Sequence, residues 1–113
     1  MPFLTVYTNA NIENGETLAK EASVLVADVL HKPINYVVAN IVKNNMMCFG
    51  GNTKQNGALV EVLSIGFADK DLLVEKLTDF LSSKLNIEDK SNINISLIDA
   101  PASKVASGGR TFG

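Results

Sequence analysis

Asn14 to Val42 reads NGETLAKEASVLVADVLHKPINYVVANIV, and two hydrophobic periods meet inside it. Leu18, Ala22, Leu25 and Val29 recur at spacings of four, three and four, with Val26 and Leu30 widening the stripe, while Glu16, Lys20, Glu21 and Asp28 fall largely outside it. This is the pattern of an amphipathic helix lying on a core. Asn14 can cap its start, and Pro33, which has no N–H to give, ends it around His31-Lys32. Tyr36-Val37-Val38-Ala39-Asn40-Ile41-Val42 then reads as a strand apolar enough to be central and covered on both faces. Upstream, Pro2-Phe3-Leu4-Thr5-Val6-Tyr7 is β-favouring and closes on the polar stretch Thr8-Asn9-Ala10-Asn11. Strand, helix, strand is one crossover unit.

Further along, the chain makes the same statement again. After a turn at Lys43-Asn44-Asn45 and the apolar run Met46-Met47-Cys48-Phe49 comes a loop from Gly50 to Gly57. Its glycines match neither GxGxxG nor GxxxxGK[ST], so no phosphate cradle is read there. Ala58 to Ile65 forms the next strand, and Asp69 caps a second helix whose stripe is Leu73, Leu77, Phe80 and Leu81, with Val74 and Leu85 beside it. Ile93, Ile95 and Leu97 alternate with Asn92, Asn94 and Ser96, the period-two signature of a half-buried strand. Two such units predict an α/β fold: a two-layer sandwich of tandem β-α-β units, a four-stranded mixed sheet with two helices on one face, in a single domain over residues 1–113. The bare face of that sheet is not polar enough for water, so self-association is expected. The tail Ser107 to Gly113 reads as irregular, with Phe112 needing somewhere to pack.

The chain has 113 residues, 46% of them hydrophobic, and ten basic against twelve acidic side chains give a net charge of −2. That balance offers no footprint for nucleic acid or an anionic membrane. No window is long and apolar enough to span a bilayer, and no leader pattern is present, so the chain reads as cytoplasmic, or as exported without a cleaved signal peptide. A single Cys48 and a single His31 cannot build an intrachain disulfide, a CxxC redox pair or a cysteine-histidine zinc site; no metal or cofactor is expected. Cys48 reads as a buried, inert thiol in its apolar run, and His31 as a surface or cap residue at a helix end.

Pro2 is the candidate for chemistry; its other reading is a residue that simply permits Met1 removal and starts a strand, where a missing N–H costs least. With Met1 removed, it presents a free secondary amine at the head of an apolar strand that holds it in place. An α-amino group titrates near ~8, and desolvation lowers it further, toward the range in which a general base works at neutral pH. With Met1 retained, the nitrogen is an amide and no base exists.

Several short motifs, in this order and spacing, give the chain a resemblance to the macrophage migration inhibitory factor and D-dopachrome tautomerase family over nearly its whole length. They are Met1-Pro2-Phe3, Lys32-Pro33 followed by Tyr36-Val37, Phe49-Gly50-Gly51, Ser64-Ile65-Gly66 and Thr111-Phe112. The resemblance implies a homotrimeric tautomerase-like fold with active sites between subunits, and keto-enol tautomerisation of small α-keto acids such as phenylpyruvate with Pro2 as the catalytic base. It implies that Lys32 holds the substrate carboxylate and depresses the proline pKa, that Ile65 and the Ser64-Ile65 backbone flank the substrate, and that Phe3, Tyr36 and Phe112 keep the pocket apolar. Asn94 belongs to the strand that in the family supplies a tyrosine and then an asparagine. Here it reads Asn92-Ile93-Asn94-Ile95-Ser96, and the matching pair is Asn92 with Asn94 or Asn94 with Ser96, since a one-residue slip would turn the isoleucines out of the core. No register supplies the tyrosine, the family's tail tryptophan is Ser107, and the CxxC of some members is Gly57-Ala58-Leu59-Val60. These departures imply a more open, polar pocket and no thiol oxidoreductase activity. They also define an alternative: a cytokine-like factor with a vestigial pocket, whose partner is a protein receptor.

Overall fold

In the computed structural model, which describes residues 1–113, the elements follow in the order β1 (Pro2–Thr8), α1 (Gly15–Leu30), β2 (Val38–Lys43), β3 (Ala58–Ser64), α2 (Lys70–Lys84) and β4 (Ile93–Asp99). The sheet runs β2-β1-β3-β4. β1 is parallel to β2 and β3 to β4, while β1 and β3 meet antiparallel at the centre. Each half is thus a crossover unit, and the mixed sheet predicted from the repeat is the one observed.

Alternation sends Leu4, Val6 and Thr8 of β1 and Ala58, Val60 and Val62 of β3 beneath the helices, where all six are buried. α1 covers them with Leu18, Ala22, Val26, Val29 and Leu30, and α2 with Leu73, Leu77 and Leu81, all members of one 17-residue core. At ~1.5–3 kcal/mol per fully buried aliphatic side chain, this docking dominates the stability of both helices. Asn14 caps α1 by accepting the Thr17 N–H at 3.0 Å. At its other end His31 turns left-handed (φ 54°), and the Lys32 N–H reaches back to the Ala27 carbonyl at 3.0 Å. This Schellman closure leaves Lys32 pointing away from the helix axis before Pro33 sets a new direction.

Three expectations are corrected. The second strand is not central: β2 starts at Val38, lies at the sheet edge and is half open to solvent, with Ile34–Tyr36 before it forming a turn of 3₁₀ helix. Cys48 is exposed, because Met46 to Phe49 lies in the connection after β2, where Met47 and Phe49 are partly covered and Phe49 sits over Gly57. The tail is not irregular. β5 (Ala106–Ser107) and β6 (Arg110–Thr111) pair antiparallel about Gly108 and Gly109, both at positive φ as a two-residue hairpin turn requires.

The sheet face away from the helices is uncovered. In register across the four strands it carries Val38-Phe3-Leu63-Ile98, then Asn40-Thr5-Glu61-Ser96, then Val42-Tyr7-Leu59-Asn94. A polar row therefore lies between two mostly apolar ones.

Candidate active site

One end of the sheet collects most of the residues singled out in the sequence. Pro2 opens β1 directly opposite Ser64, and Ser64 is opposite Asp99 on β4. Where β3 ends, the chain turns sharply at Gly66 (φ 76°). Asp99 fixes that turn by accepting the Gly66 N–H at 3.0 Å, while the Ser64 carbonyl accepts Ala100 N–H at 2.9 Å. The turn aims the Ile65 carbonyl at Lys32, whose Nζ donates to it at 3.3 Å. Lys32 takes part in none of the three ion pairs. An ammonium has three N–H donors and Ile65 uses one, leaving charge and donors for an anion.

The same end shapes the α-amino group. Met1 is buried to 8% exposure beside the β1 head. Burial first, and the nearby Lys32 ammonium second, hold its amine below the ordinary α-amino value. Both influences favour the neutral form, as desolvation and a like charge must.

Tyr36 and Phe112 meet edge to face here, with ring centroids 6.0 Å apart and planes at 85°. The tail is held for this contact by the Phe112 N–H, which donates to the Ala102 and Val105 carbonyls at 3.1 and 3.0 Å. At 42% and 40% exposure, the pair forms an aromatic wall with an open side.

Asn94 is not brought to this group. It lies in register with Leu59, five residues from Asp99 along β4, or about 16 Å at ~3.3 Å per residue. On the uncovered face it is accompanied by Ser96, whereas Asn92 lies before the strand and donates its side-chain amide to Gln55 Oε1 at 2.9 Å. Of the two pairings left open by the sequence, the open face holds Asn94 with Ser96. Asp99 was not singled out beforehand. The signal was the glycine after Ile65, a turn whose N–H needs an acceptor. A groove of about 560 Å³ between the helices, including Leu25, Asp28, His31 and Asp69, is lined by none of these residues. No helix is long and apolar enough to cross a membrane.

The chain matches the family model described as macrophage migration inhibitory factor over residues 1–113. It is 32% identical over 116 residues to a macrophage migration inhibitory factor homolog of Brugia malayi, covering 100% of both chains, and 29% identical over 115 residues to the macrophage migration inhibitory factor of Xenopus laevis, covering 99% of both. Among solved structures, the homologue from Prochlorococcus marinus superposes with a TM-score of 0.91 at 29% identity, covering 98% of this chain and 99% of that one. The Trichinella spiralis protein gives 0.86 at 29% identity, covering 97% and 99%.

Proposed function

The chain belongs to the macrophage migration inhibitory factor family, and on that premise we propose that it is a keto-enol tautomerase of small α-keto acids of the phenylpyruvate type, with Pro2 as general base once Met1 is removed. The observation that carries this reading is the environment at the head of β1, where burial and the Lys32 ammonium favour a neutral amine. The influence of the Lys32 ammonium extends, in this proposal, to the proline amine freed one residue further in, which desolvation at the strand head favours in its neutral form as well.

The neutral Pro2 nitrogen removes a proton from the carbon next to the keto group. The C–H electron pair becomes the enol double bond, the carbonyl pair moves to oxygen, and that oxygen takes a proton from solvent. The protonated amine then returns its proton to solvent, and the reverse path delivers one to the enol carbon. An amine with a pKa near the working pH serves both directions. Lys32, held by the Ile65 carbonyl, binds the substrate carboxylate, and Tyr36 and Phe112 face the apolar body.

The distance of Asn94 from Pro2 within one chain supports a site shared between subunits of a homotrimer, where a neighbour's β4 closes the pocket. The open sheet face supports the same assembly. Enolisation of phenylpyruvate by the processed protein tests the reading: Pro2→Gly abolishes it, and turnover unchanged by Pro2→Gly refutes it. The lack of any aromatic residue among the open-face positions of β4 favours one alternative, a protein-binding factor with a weak pocket. That alternative predicts receptor capture unaffected by Pro2→Gly.

A further inference from the structure

Ser64 Oγ is the one buried side-chain oxygen or nitrogen without a hydrogen-bond partner. The residue is fully buried, and a buried hydroxyl left unpaired calls for an explanation. Its backbone carbonyl, by contrast, is satisfied, accepting the Ala100 N–H at 2.9 Å. Its side chain lies on the helix-covered face, the same face as Pro2, and the two residues are direct partners in the antiparallel register. Opposed residues of such a pair have Cβ atoms about 4.5–5.5 Å apart.

The group across that pair whose hydrogen bonding changes with processing is the Pro2 nitrogen. Joined to Met1 it is a tertiary amide nitrogen, with no hydrogen and with its lone pair drawn into the carbonyl, so it can neither donate nor accept. Freed, it is a secondary amine with one N–H and a basic lone pair. The unpaired hydroxyl and the atom that gains hydrogen-bonding capacity thus belong to the same strand pair.

We propose that Ser64 is a positioning residue, its hydroxyl accepting the N–H of the freed Pro2 amine and thereby turning the lone pair outward to the substrate. This rests on Pro2 being the base. It gives the Ser64 side chain a part distinct from its backbone beside the substrate. It also makes the site self-completing, since removal of Met1 creates the base and pairs the hydroxyl at once.

The test compares Ser64→Ala and the near-isosteric, poorly accepting Ser64→Cys in two forms of the chain, one processed to Pro2 and one keeping a residue before it. In the extended form both substitutions leave the thermal midpoint unchanged or raise it, because no hydrogen bond is lost. In the processed form both lower it. Without its acceptor the ammonium form is disfavoured, so the pH midpoint for alkylation of Pro2 by 3-bromopyruvate falls by about half a pH unit. Turnover falls about tenfold, the equivalent of about 1.4 kcal/mol, with KM within about twofold. Equal thermal shifts in the two forms, or an alkylation midpoint that does not move in the processed form, overturn the proposal. Thermal and alkylation readouts need no turnover, so a failure of the tautomerase assignment, seen as indifference to Pro2→Gly, is read separately.

Discussion

Lys32 owes its place to the way α1 stops. The left-handed His31 and the bond from Lys32 N–H to Ala27 turn the chain off the helix, and the Ile65 carbonyl catches the ammonium beside the β1 head. Lys32→Ala is therefore expected to raise KM for an α-keto acid by about tenfold, the worth of one charge-assisted contact of about 1.4 kcal/mol, and steady-state kinetics will show it. The same substitution moves the ascending, acid-side limb of the rate profile to higher pH, since a neighbouring cation no longer opposes protonation of the base. Stability carries a matching signature in the chain that keeps Met1. Its folded amine titrates below the unfolded value of about 8, so within that window the unfolded chain binds more protons and stability rises with pH, levelling off above it. Urea midpoints at pH 6 and 8.5 measure the rise, and Lys32→Ala reduces it. The family motifs point to Pro2 and Lys32 as candidates, and the structure brings Lys32 to the head of β1. The anchoring role of Asp99 was not legible in the sequence, because a carboxylate that accepts one turn N–H leaves no periodic trace.

Among the elements, both helices could be read directly, since Leu18-Ala22-Leu25-Val29 and Leu73-Leu77-Phe80-Leu81 repeat often enough to fix a period and a face, although Leu25 and Phe80 lie at the margin of the core and Val26 at its centre. β2 could not. Its apolar residues suggested cover on both faces, yet within the chain it is an edge strand with Val38 at 54% exposure, because apolar content does not say which surface will bury it. The tail hairpin escaped notice since strands of two residues have no period to read. Between elements, the connection after β2 is seated by one close approach. A Cβ on Gly57 would lie 2.6 Å from the Phe49 ring and 2.8 Å from the Asn92 carbonyl oxygen. Gly57→Ala should thus destabilise the fold by about 1–3 kcal/mol, visible as a lower urea midpoint. Leu77→Ala, fully buried in the core between α2 and the sheet, should cost about 2–5 kcal/mol by the same measurement.

For the whole molecule, the uncovered sheet face and the separation of Asn94 from Pro2 lead to the same expectation: the chain works as an assembly. Leu63→Glu puts a charge in the apolar row of that face next to Phe3 and Ile98, and sedimentation should show it dissociating the oligomer. Complementation tests sharing of the site. Inactive Pro2→Gly and impaired Asn94→Ala chains, unfolded and refolded together, should regain part of the turnover, because some sites then combine an intact Pro2 with a neighbour's intact Asn94. Chains refolded separately and then mixed should not. The most direct measurement of the central chemistry is the pH dependence of kcat/KM for phenylpyruvate enolisation by the processed protein. A single ascending limb on the acid side, with its midpoint below about 8 and absent in Pro2→Gly, is the expected result. A profile that is flat across neutral pH, or that survives Pro2→Gly unchanged, would contradict it.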